Sequence, residues 1–171
     1  MINKIGLKII TMFGVGKIKK APGTAASFIT AIIYFLLFVS EIPVAIISLI
    51  FFIILIFSIN LIDKNLERFS KKDPKEIVID EFLGQSIPCI LICFKLKSYN
   101  MFGYQASPPV MEAVIPFSIA FVTFRIFDIF KPYPINVVDK KIHNGFGIVF
   151  DDILAGIYSA ITTYLILYII Y

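Results

Sequence analysis

A chain of 171 residues suits one domain, but 58% apolar residues, 16% charged residues and a mean hydropathy of +0.89 lie far from soluble averages. This excludes an ordinary soluble globular protein and indicates an integral membrane protein, expected to be a single domain over residues 1–171. The net charge of +4 does not indicate nucleic acid, because the lysines track the edges of apolar segments and no nucleic-acid motif accompanies them.

The amino-terminal stretch carries Lys4 and Lys8, then Gly14, Gly16, Lys17, Lys19 and Lys20, with no continuous apolar core. It does not read as a cleaved signal peptide. The loop from Gly14 to Thr24 runs directly into apolar sequence. Thr24 is a plausible N-cap there, and exposed amides at such a helix start suit a phosphate oxygen, although on this segment alone a plain turn and ordinary cap is the favoured account. The glycine and lysine spacing matches neither a Walker loop nor a dinucleotide fingerprint.

Two long uncharged runs, Ile42 to Ile62 and Ile153 to Tyr171, each approach the roughly 20 residues that a helix needs to cross the hydrocarbon core. Three shorter runs, Ala25 to Val39, Phe82 to Phe94 and Ala113 to Phe127, are long enough to tilt across, fall short or re-enter. The expected fold is therefore all-α, a polytopic helical membrane protein with about four to five hydrophobic helices. Ile42 to Ile62 reads as scaffold. Asp63 to Glu76 reads as a charged, solvated connection with a turn at Asp73-Pro74.

Next, Asp80 and Glu81 stand against Ile77, Val78, Ile79 and Phe82. Neighbours on a helix point roughly 100° apart, so one carboxylate can bind a metal while the other orients a water or a supporting group. A pair of helix-start acids favoured by the helix dipole is an equal alternative. Cys89 and Cys93 would face the same way on a helix, and they read as small packed hydrophobes. Lys95 to Pro109 reads as a polar loop without chemistry.

The segment Phe124 to Pro132 is more specific. Arg125 and Asp128 are three apart and would meet on one helical face, as a structural pair or as part of a site. Pro132 disfavours helix at Lys131, which frees that lysine to point into a site. An arginine and a lysine flanking a carboxylate suit a phosphate bound beside a cation. Asp139 follows in a loop, where it can pair with Lys140 or Lys141, and His143 reads as a structural histidine. Asp151 and Asp152 would open the terminal helix, on which Gly156, Ala160 and Thr163 form a small-residue face for close helix approach.

Six of the twelve acidic residues thus sit at apolar edges: Asp80, Glu81, Asp128, Asp139, Asp151 and Asp152. A carboxylate beside hydrocarbon requires a partner, and repetition suggests a metal or a polar substrate. With the apolar runs crossing alternately, thirteen of the sixteen Lys/Arg fall in loops on the amino-terminal side. The positive-inside rule then makes the amino terminus, the Asp63 to Glu76 loop and the Phe130 to Phe150 loop cytoplasmic.

Three segments together resemble the phosphatidylglycerophosphatase A family of bacterial membrane enzymes. They are Ala21-Pro22-Gly23-Thr24 with Ser27; Asp73-Pro74 through Asp80-Glu81 to Gly84; and Phe124-Arg125, Asp128, Lys131-Pro132 and Pro134 followed by Gly145, Gly147, Asp151-Asp152 and Ala155-Gly156. Ala26 stands where the family pattern has glycine, and Lys95 to Glu112 matches poorly. The resemblance implies a Mg2+-dependent lipid phosphatase of the bacterial cytoplasmic (inner) membrane that converts phosphatidylglycerophosphate to phosphatidylglycerol and inorganic phosphate.

On this reading the catalytic carboxylates are Asp80, Glu81, Asp128, Asp151 and Asp152. Glu81, Asp128, Asp151 and Asp152 hold the metal, and Asp80 is a further ligand or orients water. Gly23, Thr24, Ser27, Arg125 and Lys131 bind substrate. The partners are that lipid and the bilayer, with association between copies of the chain also allowed. A cation carrier or channel is the competing reading, and a non-catalytic assembly subunit a third.

Overall fold

The computed structural model describes residues 4–66, 74–101 and 110–170. Among the described residues there is no β-strand. A short helix α1 (Lys4–Ile10) and a kinked 3₁₀ segment (Met12–Lys17) lead into α2 (Pro22–Val39), α3 (Val44–Leu66), α4 (Ile79–Met101), α5 (Val110–Phe130), a short α6 (Ile135–Lys141) and α7 (Gly145–Ile170). Four of these, α2, α3, α5 and α7, are long and apolar enough to cross a membrane. The exposed side chains of Leu49, Ile53, Ile56 and Phe57 on α3, and of Ile161, Leu165 and Ile169 on α7, form an outer surface that only hydrocarbon would solvate well.

The fifth long helix, α4, is more polar because it is the central one. It packs against α2, α3, α5 and α7. A helix enclosed by others does not need an apolar lipid face, so Gln85 and Ser86 are fully buried in it beside Leu83, Cys89 and Cys93. Cys89 and Cys93 are free thiols packed among Tyr34, Phe38, Ile92 and Phe117.

The most extensive helix contact among the described residues lies between α4 and α7. A Cβ on Gly156 would collide with the carbonyl of Gly84, and a Cβ on Gly84 would collide with the carbonyl of Asp152 and the ring of Phe124. Two glycines therefore let three helices meet backbone to backbone and backbone to ring. Farther along the same face of α7, Ser159 Oγ and Thr163 Oγ1 lie 2.8 and 3.0 Å from Thr123 Oγ1 of α5. Such interhelical hydroxyl contacts satisfy polar groups that lipid cannot. The small-residue face of α7 is thus occupied, at Gly156 and Thr163, by helices of the same chain.

Several boundaries differ from those expected. Helix α2 begins at Pro22, with Ala21 in the cap position at φ 50 and no side-chain cap, so Thr24 is inside the first turn and is not the N-cap. Proline accounts for this, since its fixed φ and missing N–H suit the first helical position. Helix α3 continues through Leu66, and α4 runs on through Met101, so Lys95 to Met101 are helical, not loop. Asp73 and Pro108-Pro109 lie outside the described residues. The stretch from Phe130 to Phe150 is two helices and a turn. Asp139 is in α6, and Asp151 and Asp152 are in the second turn of α7 instead of at its start.

If the Gly84–Gly156 crossing sets the distance between α4 and α7, Gly156→Val will force them apart. The expected cost is roughly 1–3 kcal/mol, the usual range for overpacking. It should appear as a lowered thermal midpoint in detergent, while Ile161→Val on the exposed face of α7 should change little.

Candidate active site

The amino-terminal ends of α2, α4 and α7 and the carboxy-terminal end of α5 meet at one end of the bundle. There they surround a pocket of about 410 Å³. The glycine crossing explains what they deliver. Residues four apart share a helical face, so Asp80 lies one turn before Gly84 and Asp152 one turn before Gly156. Asp128 lies one turn beyond Phe124 on the antiparallel α5. One tight contact therefore carries three carboxylates to the same level of the bundle.

Asp80, Glu81 and Asp152 each offer a carboxylate oxygen within 4.8 Å of the other two. Asp80 and Asp152 are buried, and the buried atoms Glu81 Oε2 and Asp152 Oδ2 have no hydrogen-bond donor. Clustered carboxylates shielded from water repel one another unless a cation or protons intervene. The donor set is all oxygen, which suits a hard divalent ion that keeps water and substrate oxygens in its shell. These residues fit a metal site. Gly23 of α2 closes its wall, since a Cβ there would fall on Glu81 Oε1.

The other two expected ligands are engaged differently. Asp128 forms a salt bridge with Arg125, and Asp151 Oδ2 lies 2.6 Å from Lys131 Nζ. Lys131 also lies 2.6 Å from Asp139 Oδ1 on α6. Asp139 therefore pairs with Lys131 and not with Lys140 or Lys141, and it belongs to the pocket wall. Helix α5 stops at Phe130, and Lys131 takes a left-handed φ of 41 ahead of Pro132. That turn redirects the side chain across the pocket toward α7. Burial opposes the lysine's charge, but the field of Asp151 and the hydrogen bonds that the lysine donates to Asp139 and Asp151 raise its pKa above the ordinary range.

Arg125 is anchored from two sides. Asp128 pairs with Nη1, and the same nitrogen lies 3.4 Å from Ser27 Oγ, while Nε is buried without a partner. Ser27 itself is fully buried, donates to the carbonyl of Gly23 at 2.8 Å and does not line the pocket. It supports the arginine from behind. Gly23, Thr24, Asp80, Glu81, Arg125, Asp128, Lys131, Asp151 and Asp152 do line the pocket.

Some contributors carry little sequence signal. Asp63, read as a solvated charge, accepts the amide of Gly145 at 2.5 Å and so caps α7 from α3. Asn144 Oδ1 accepts the amide of Gly147 at 2.9 Å, an N-cap that fixes where α7 begins. His143 lies on the pocket wall. One usable signal was present: Asp80 and Asp152 each precede by four a glycine on an apolar helix, a repeated pairing of carboxylate and close-packing residue.

Comparison with known proteins identifies the family. The family model described as phosphatidylglycerophosphatase A matches residues 8–167. A Haemophilus influenzae protein named phosphatidylglycerophosphatase A is 33% identical over 168 residues, covering 98% of this chain and 91% of that one. The Escherichia coli protein of the same name is 31% identical over 154 residues, covering 90% and 78%. A Bacteroides thetaiotaomicron protein, provisionally named a phosphatidylinositol-3-phosphatase, is 32% identical over 157 residues, covering 88% and 86%. No solved structure matches the chain significantly. With a matching model over nearly its whole length and relatives at 31–33% identity, the chain belongs to the phosphatidylglycerophosphatase A family, a group of lipid phosphatases.

Proposed function

We propose that this protein hydrolyses phosphatidylglycerophosphate to phosphatidylglycerol and inorganic phosphate, with Mg2+ as cofactor, at the cytoplasmic face of a bacterial inner membrane, and that residues 1–171 act as one domain. The observation that carries this reading is the junction of two chemistries in one pocket. A largely buried oxygen trio fit for a divalent ion adjoins two anchored cations fit for a phosphate. The names of the Haemophilus and Escherichia relatives support the substrate.

Asp80, Glu81 and Asp152 would hold the ion, whose contribution when bound is to neutralise phosphate oxygens and favour attack by water. Arg125 and Lys131 bind the terminal phosphate. Asp128 and Ser27 orient the guanidinium, and Asp151 with Asp139 holds Lys131 Nζ, so Asp128 and Asp151 act here as positioning groups for the two cations. The first-turn backbone at Gly23 and Thr24 adds the positive end of the α2 dipole.

In the reaction a water oxygen bonds to phosphorus and the bond from phosphorus to the glycerol oxygen breaks. That oxygen leaves with a proton, as the hydroxyl of phosphatidylglycerol. Phosphoryl transfer of this kind has a loose transition state, so charge stabilisation and alignment are most of what a protein must supply. Anchored cations provide both.

The lysines and the pocket's position support this placement. The pocket is at the end of the bundle where α2, α4 and α7 begin, the side that carries most of the basic residues. A diacyl lipid held in that leaflet presents its head group at this level. A cation path across the membrane is less consistent, because among the described residues the pocket's acids lie at one end and no charged stripe continues along α3 or α7.

Three measurements test the proposal. Purified protein should release phosphate from phosphatidylglycerophosphate with Mg2+ and lose that activity in EDTA. Glu81→Gln and Asp152→Asn should each reduce kcat on the order of 100-fold or more and weaken Mn2+ binding followed by electron paramagnetic resonance. Retained activity together with unchanged Mn2+ binding would refute the trio. For orientation, a cysteine replacing exposed Lys141 should react with an impermeant thiol reagent only after the cells are opened, and labelling of intact cells would reverse the topology.

A further inference from the structure

Beyond Arg125 and Lys131, two further lysines stand on the pocket wall. Lys19 precedes α2, and Lys75 lies in the turn before α4. Both are exposed, and neither has an ion-pair partner among the described residues. Their proximity is built into the fold. A Cβ on Gly16 would overlap the carbonyl of Glu76, and the amide of Val78 donates to the carbonyl of Ile10 at 3.0 Å. The 3₁₀ segment is thereby clamped onto the 74–78 turn, and the residues leaving each part, Lys19 and Lys75, reach the same wall.

The pocket has two tiers of positive charge with different surroundings. Arg125 and Lys131 are half-buried and neutralised by Asp128, Asp139 and Asp151. Lys19 and Lys75 carry no such counter-charge and sit at the outer wall. A volume of about 410 Å³ falls toward the low end of the roughly 300–1,000 Å³ of ligand pockets, enough for a polar head group but not for two acyl chains as well. A lipid whose terminal phosphate reaches the buried tier must leave its glycerol backbone, and any phosphate attached there, at the mouth.

We propose that Lys19 and Lys75 form a second anion subsite that binds the phosphodiester joining the head group to the diacylglycerol, and so select doubly phosphorylated lipids over lipids with a phosphomonoester alone. This rests on the functional reading above. A phosphodiester is a fixed monoanion with two free oxygens, matched by two ammonium groups that approach from different segments. The same chemistry is available from a neighbouring anionic lipid, so the two sources must be separated by dilution.

The test is equilibrium binding in non-ionic detergent micelles, at a substrate mole fraction low enough that a micelle holds one lipid. EDTA is present so that no turnover occurs. Wild type should bind phosphatidylglycerophosphate more tightly than phosphatidate. Joint substitution Lys19→Gln and Lys75→Gln should cut that preference roughly tenfold, the scale of a lost charge-assisted contact, and Lys19→Arg with Lys75→Arg should restore it. Lys20→Gln, a surface charge outside the pocket, serves as the control for general attraction. Equal weakening of both lipids, an unchanged preference, or no preference in wild type would each overturn the subsite. Intact preference with no phosphate release when Mg2+ is supplied would instead overturn the proposed reaction and leave the subsite standing.

Discussion

The arrangement depends on how closely α4 and α7 can approach. At Gly84 and Gly156 the two backbones touch, and the ring of Phe124 fills the remaining side of the contact. Any larger side chain there would move the helices apart by a fraction of its own width. Because Asp80, Asp152 and Asp128 each stand one helical turn from this point, the same displacement would open the carboxylate cluster. Packing and site geometry are one constraint in this protein, which is why a stretch of small residues governs the position of its charges.

The second feature is an imbalance of charge. Asp80, Glu81, Asp128, Asp139, Asp151 and Asp152 line the pocket, against Arg125 and Lys131 as its partly buried cations. Two cations cannot compensate six carboxylates, and the ones they do compensate are Asp128, Asp139 and Asp151. Outside those pairs stand Glu81 and Asp152, which cluster with Asp80 and whose buried atoms Glu81 Oε2 and Asp152 Oδ2 lack donors. Such a cluster is expensive in a low-dielectric surrounding unless a cation joins it, which is why these three residues could hold a metal ion. Asp128, Asp139 and Asp151 thus serve the two cations, and Asp80, Glu81 and Asp152 form the candidate metal site.

Much of the site was legible from residue type alone. Carboxylates at apolar edges, an Arg and a Lys around Asp128, and a proline that ends the helix at Lys131 each have a local physical cause, and all of these charged residues line one pocket. What was misread followed from long-range partners. Asp63 appeared to be a solvated charge because its partner, the amide of Gly145, is far along the chain. Asp139 appeared to be a loop residue with adjacent lysines because nothing local brings Lys131 to α6. Helix α4 was cut short at Phe94 because polar residues such as Lys95 and Lys97 look like loop. Lys97 instead donates to the carbonyl of Ile42 at 2.5 Å, and Lys95 lies over the Tyr164 ring at 4.8 Å.

The sequence by itself determined the class of molecule, the number of long apolar helices and the residue types of the site, since these follow from composition, run length and local stop signals. Only the tertiary structure decided which acids stand together and which are paired with cations. Glu81 joins Asp80 and Asp152 across two helices and Asp151 turns to Lys131, whereas the Arg125–Asp128 pair, three residues apart, was already legible in the spacing. That division depends on the distance and rotation between helices. Those are set by contacts such as Gly84 on Gly156, which no local pattern of charge or hydropathy encodes.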